Sequence, residues 1–319
     1  MSNISVALKL IANEKRRKTG KLNLGHCGLA NLSKDIPTLF ELEWLEELIL
    51  TNGPTSEYFD YEEGADNSLR YSSFDVKMIP NKIDKLPSEL TRLVHLKKLS
   101  ISGDWNTGGN LQKLEYLPDG LEVLEADYNK IPDLNALPSG LKSLSIKFNQ
   151  IKKIESLPMG LQTLSVGGNK IKKLENLPDT LRELNAGYGK IRTLQNLPDS
   201  LLELYLFDND IERIENLPIG LEKLDLCSNK IRSIENLPSK LESLKILNNR
   251  IREIGVIPIS LKYINVDGNL IEDLTPLKDF FSLYISISFD DNPIKIPPMN
   301  IVEEGNEAII DFFKKANIK

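Results

Sequence analysis

The strongest constraint on this chain is a period of twenty residues. Written in rows from Leu121, it reads LEVLEADYNKIPDLNALPSG, LKSLSIKFNQIKKIESLPMG, LQTLSVGGNKIKKLENLPDT and LRELNAGYGKIRTLQNLPDS. Further rows open at Leu201, Leu221, Leu241 and Leu261, the last diverging after its Asn. The common pattern is L-x-x-L-x-(apolar)-x-x-N-x-I-x-x-(I/L)-x-x-L-P-x-x. Its first six residues suit one short strand. The Asn then turns the chain away, and its amide can bond backbone groups that would otherwise be buried and unpaired. Burying the apolar positions of a single row does not offset the entropy of ordering it, so rows must stack and cover one another.

A pattern of this form is a leucine-rich repeat in its short version. The expected fold class is an α/β solenoid, a leucine-rich-repeat horseshoe. It has a parallel β-sheet on the concave face, a mostly irregular convex side, and helical N- and C-terminal caps. Little α-helix is expected between 121 and 283. Looser repeats precede these rows, in TGKLNLGHCGLANL, LEELILTNG and LKKLSISGD, and YISISFDDNPIKIPP closes the series. One solenoid domain, 1–319, follows: a cap at 1–18, about twelve repeats over 19–300, and a cap or linker at 301–319. Insertions break the pattern at 54–80 and 104–110. Helical spacing of Ile4, Ala7, Leu8 and Ile11 supports the first cap, and Ala308, Ile309, Phe312, Phe313 and Ala316 the last.

Composition excludes several classes. No apolar run approaches the length of a membrane span, and the N-terminal charges follow the apolar residues, the reverse of a secretory signal. Two cysteines, Cys27 and Cys227, make no disulfide framework. A cytoplasmic protein is expected, with no membrane partner. The net charge of −6 argues against nucleic acid. No cofactor, metal or enzymatic role is expected, since His26 and His95 form no ligand spacing and Cys27 fills an Asn slot. Neither Gly20-Lys21 nor Gly189-Lys190 continues as a phosphate-binding loop.

The LPxGLxxLxxxxNxI rows resemble the short repeats of bacterial effectors of the IpaH type, over roughly residues 117–260. The entry ALKLIANEKRRKTGKLNLGHCGLANL resembles the helix and first repeat of bacterial Roco proteins. The exit NPIKIPPMNIVEEGNEAIIDFFKK resembles their last repeat and the helix leading into a GTPase. That resemblance implies a recognition domain of a signalling protein, with a GTPase domain following Lys319 in the parent protein. The IpaH-type resemblance implies a stand-alone effector-like protein that binds host proteins.

A binding surface is expected on the concave face. Positions 3, 5 and 7 of each row point outward and position 8 lies at their rim. These slots hold Tyr128, Phe148, Tyr188, Tyr205, Phe207, Leu247 and Tyr263, and Trp105 is expected beside Tyr128 and Phe148. Contiguous aromatic and apolar groups at solvent-facing strand positions point to a protein partner. The alternative is polyanion binding by a convex basic column, Lys152, Lys172, Arg192, Arg232 and Arg252. Gly189 stands where other rows carry Asn, which predicts a weak rung that Gly189→Asn would strengthen.

Overall fold

The computed structural model describes residues 3–51, 79–135, 137–283 and 285–316. It divides into two compact units, residues 1–169 and 170–319. The first unit opens with helix α1 (Asn3–Arg17), then strand β1 (Lys21–Asn23), a single helical turn α2 (Leu32–Asp35), and strands β2 (Glu47–Ile49), β3 (Lys98–Ser100), β4 (Val123–Glu125), β5 (Ser143–Ser145) and β6 (Thr163–Ser165). These strands pair in parallel, each with the next. The second unit contains β7 (Glu183–Asn185), β8 (Glu203–Tyr205), β9 (Lys223–Asp225), β10 (Ser233–Ile234), β11 (Ser243–Lys245), β12 (Glu253–Ile254), β13 (Tyr263–Asn265) and β14 (Ser286–Ser288). Two helices close it, α3 (Met299–Glu303) and α4 (Asn306–Lys315). Strands β7, β8, β9, β11, β13 and β14 pair in parallel in that order, and β10 pairs with β12 separately.

Each of these strands other than β10 and β12 is three residues long, because only the middle of L-x-x-L-x-L is extended before the Asn turn. In the row from Leu201, Leu201, Leu204, Leu206 and Ile211 are fully buried. The twenty-residue register places Leu144, Leu164 and Leu184, Leu204, Leu224 at equivalent core positions within their units. Among the described residues of 121–283 there is no α-helix, only 3-10 turns at Thr275–Leu277 and Phe280–Ser282. The Leu-Pro pair does more than hold an extended segment. Its proline carbonyl accepts the N–H three residues on, as Pro218 accepts from Leu221 at 3.1 Å, so the pair also sets the tight turn into the next row.

The Asn column forms a ladder. Each side-chain Oδ1 accepts the N–H of the Ile one row back: Ile131 to Asn149, Ile151 to Asn169, Ile191 to Asn209, Ile211 to Asn229 and Ile231 to Asn249. Each Nδ2 donates to carbonyls of its own row and of the row before, as Asn229 does to Leu226 and Leu206. Asn81 makes the same bonds, to Leu29, Leu24 and Leu50, so the pattern resumes there after the insertion.

Besides Cys27, which fills the Asn slot of the first row, two rungs depart from this. Gly189 occupies one Asn slot, and Gly109 occupies another that the 104–110 insertion conceals in the sequence. Both backbones bond the next row directly, Gly189 N–H to Asp208 and Gly109 N–H to Tyr128. An added Cβ on Gly189 would lie 2.6 Å from Asn209 Oδ1. The expected gain from Gly189→Asn is therefore corrected: the chain has closed into the space that the amide would need.

The helical ends carry their own chemistry. Helix α1 buries Val6, Ala7 and Ile11 but leaves Leu8 40% exposed, so its inner face is rotated from the one read in the sequence. Its buried Glu14 accepts from Gly20 N–H at 2.9 Å and Trp44 Nε1 at 3.2 Å. In α4, Ile309 and Phe313 are buried. The last strand, β14, is less covered than its neighbours. Ile287 and Phe289 are partly exposed, whereas Ile264 and Val266 of the preceding row are fully buried.

Candidate functional site

The strand faces of the two units each carry an aromatic cluster. In residues 1–169, Tyr128 and Phe148 stack with ring centroids 4.7 Å apart and planes 8° from parallel. Phe148 lies over Gly168, where any Cβ would collide with the ring. Trp105 is 65% exposed on the excursion at 104–110. That excursion is tied to the next row by Gly103 N–H to Asp127 and Gly109 N–H to Tyr128. Among the described residues, however, the Trp105 ring stacks on neither aromatic. Most of the 54–80 insertion, and with it the expected proximity of Trp105, lies outside the described residues.

In residues 170–319, Tyr188 and Phe207 meet edge to face, 5.0 Å apart at 89°. Phe207 packs over Gly187, whose added Cβ would sit 2.7 Å from the ring. Tyr205 projects from β8 between Asn185 and Asp225. Its hydroxyl donates to Glu203 at 2.6 Å, and Glu203 also accepts from Lys223 at 2.8 Å. Burial, then the Glu203 hydrogen bond, then the charges of Glu203, Glu183 and Asp225 push the Tyr205 phenol above its ordinary range. The same contacts, Lys223 first and Tyr205 second, hold the Glu203 carboxyl below its usual range.

Two expected members stand apart from this cluster. Tyr263 lies on β13, three strands from β8, which is about 14 Å at ordinary strand spacing. The rows between contribute Lys223, Asp225, Ser243 and Lys245 to this face. Leu247 is half-buried two rows from Phe207. The surface is thus a compact patch of Tyr188, Tyr205 and Phe207 with polar strands beyond it. The convex residues Lys152, Lys172, Arg192, Arg232 and Arg252 are all exposed.

The glycine platforms and the acidic surround went unread in the sequence. Their signal was there in part: Gly168 and Gly187 each stand one row from a phenylalanine, and a ring can lie flat on backbone only where no Cβ intervenes. Tyr128, Phe148 and Tyr188 also adopt φ of 53–54°. That left-handed turn is unfavourable for a bulky side chain, and Asp208, Ser228 and Asn248 adopt it at the same slot.

The cysteines are poor nucleophiles. Burial pushes the Cys27 thiol up to about 12. Burial and then Asp225 push Cys227 up to about 12 as well. His26 is buried and His95 exposed. Among the described residues, no three His, Cys, Asp or Glu side chains gather as a metal site. No described helix is long and apolar enough to cross a membrane.

No family model matches this sequence, and no curated protein matches it. Solved structures do. An internalin from Listeria monocytogenes is similar at 18% identity and a TM-score of 0.63, over 92% of this chain and 90% of that one. YopM, a leucine-rich effector protein from Yersinia pestis, is similar at 22% identity and a TM-score of 0.57, over 92% and 89%. A leucine-rich-repeat protein of Leptospira interrogans is similar at 19% and 0.52, over 95% and 97%. The fold is that of a leucine-rich-repeat solenoid.

Proposed function

We propose that this chain is a protein-interaction scaffold that docks a protein partner on the strand face of residues 170–319. The supporting observation is the Tyr188, Tyr205 and Phe207 cluster. Aromatic side chains carry much of the energy of protein interfaces, and here two of them are held in place before any partner arrives. Glu203 fixes Tyr205, and Gly187 gives Phe207 a flat seat. Ordering already done in the free protein is not lost again on binding.

The test is affinity capture followed by titration of the captured protein against variants. Tyr205→Ala/Phe207→Ala is expected to weaken binding about thirtyfold or more. Phe207 is partly packed, so Tyr188→Ala, at a residue 54% exposed, serves as the fold-neutral variant. Lys172→Glu on the convex side is expected to change little, as exposed charges contribute little. Loss of binding through Lys172→Glu alone, with the aromatic variants binding normally, would reject this surface.

The context proposed is the cytoplasmic recognition part of a Roco-like signalling protein, supported by the entry and exit motifs. The reading frame beyond Lys319 tests it by whether a GTPase follows. A second reading, a stand-alone effector-like protein, is favoured by the LPxGL rows and by the fold likeness to the YopM effector.

A further inference from the structure

We infer that the last strand, β14, pairs with β14 of a second copy of this chain, antiparallel about a two-fold axis. The inference stands apart from the aromatic docking patch. Among the described residues β14 pairs with β13 alone and ends the sheet. The Ser286 N–H donates to the Lys262 C=O at 3.2 Å, and the Ser288 C=O accepts the Val266 N–H at 2.8 Å. The Asp290 C=O accepts the Gly268 N–H at 2.9 Å. Residues 286, 288 and 290 therefore face β13. Successive residues of a strand turn their N–H and C=O groups to opposite sides, so Ile285, Ile287 and Phe289 face outward from the edge. Among the described residues, no partner meets the Ile287 N–H and C=O, the Ile285 C=O or the Phe289 N–H. The Phe289 C=O is taken by Asn292 Nδ2 at 2.9 Å.

The side chains below this edge are open as well. Ile287, Phe289 and Ile294 are half-buried. Their counterparts one row earlier, Ile264, Val266 and Ile271, are fully buried. The free backbone groups make a self-complementary set. With the axis at Ile287, each Ile287 N–H donates to the Ile287 C=O of the other copy. Each Phe289 N–H then reaches the other copy's Ile285 C=O. Ser286 of one chain lies opposite Ser288 of the other. A lone extended peptide would meet the backbone but leave the half-buried side chains uncovered, whereas a second copy brings its own open row against them. The first row offers no such edge. Helix α1 packs against β1, and Leu24 and Leu29 of that row are fully buried. Head-to-tail growth into a fibre therefore lacks a second edge, and the association is isologous and closed. Opposed side chains on antiparallel strands share a face, so the joined sheet presents the concave strand face of both copies on one side. The contact is small, so at dilution the pair separates and the edge reopens.

The experiment is light scattering and amide hydrogen exchange by NMR on the full, unsubstituted chain. Between about 20 µM and about 1 mM, scattering is expected to rise toward twice the chain mass, and exchange at the Ile287 and Phe289 amides to slow several-fold. The Ser286 amide, already bonded to Lys262, is expected to change little. Ser286→Cys and Ser288→Cys chains test the register. Opposed Cβ atoms lie about 4.5–5.5 Å apart and diagonal ones about 7–8 Å, and a disulfide spans about 3.5–4.5 Å. Mild oxidation is therefore expected to crosslink a mixture of the two variants but neither one alone. The Ser288 hydroxyl donates to Asp267 at 2.7 Å, so the exchange measurement, which needs no substitution, decides the matter if that variant unfolds. A chain that stays monomeric over this range overturns the pairing. So does a dimer in which the Ile287 and Phe289 amides exchange as fast as in the monomer, which would put the interface elsewhere. Crosslinking by either variant alone, with no more on mixing, overturns the two-fold axis at Ile287.

Discussion

Replacing Asn229 by alanine removes one rung of the ladder and little else. Its Nδ2 shares two hydrogens among Leu206 O at 2.9 Å, Leu226 O at 3.1 Å and Cys227 O at 3.2 Å. Each of those carbonyls keeps another donor: Asn209 for Leu206, Asn249 for Leu226, and the Asp208 N–H for Cys227. The Ile211 N–H is different. It donates to Asn229 Oδ1 at 2.9 Å, and Ile211 is fully buried. The variant therefore leaves one buried donor unpaired, a loss of about 1–3 kcal/mol. Stacked rows need not unfold in a single step, so a global midpoint is a blunt measure. Hydrogen exchange at the Ile211 amide reads the rung itself. A loss of about 2 kcal/mol corresponds to roughly thirtyfold faster exchange there, with little change at Ile251 two rows on. Unchanged protection at Ile211 would refute the claim that the amide column holds the rows together.

Three further outcomes follow from the geometry. Gly189→Asn is expected to bring no gain in denaturant midpoint, because the added Cβ meets Asn209 Oδ1; a clear rise would show that the row reopens at no cost. Cys227, pushed up to about 12, is expected to react with iodoacetamide at neutral pH on the order of a hundredfold more slowly than free cysteine. A rate near that of the free thiol would contradict the burial and the Asp225 contact. The Tyr205 phenol is raised, so its ultraviolet phenolate signal is expected above the ordinary tyrosine range, moving back toward it in Glu203→Gln. The linked Glu203 carboxyl is lowered, so its contribution to stability is complete above the ordinary carboxylate range. It is lost as pH falls through the depressed value. Phenolate formation at the usual pH for tyrosine would remove the Tyr205–Glu203 contact from the site.

The period carried the fold because every buried position recurs in it. Leu204 and Ile211 are interchangeable with their counterparts a row away, and burial needs no knowledge of anything more distant. Features that depend on two rows at once were harder to read. Gly109 escaped notice because the 104–110 excursion shifts the count, although its backbone makes the same contact as that of Gly189. Trp105 was placed by row adjacency alone, which brings the backbones together without orienting the ring. The α1 face was misjudged because Asn3 and Glu14 are buried through hydrogen bonds, and apolar spacing does not report those.

The thin cover on β14 gives this molecule a direction. In a stack held by nearest neighbours, the row with fewest contacts opens first, and each loss exposes the next. Ile287 and Phe289 are only partly covered, and Ser286 lies open to solvent. Unfolding of residues 170–319 should begin near 285–298 and run toward earlier rows. A protease meeting the folded chain would then shorten it row by row. Its products would form a ladder of bands spaced by one repeat, all sharing their earlier residues and differing only in where the last surviving row ends.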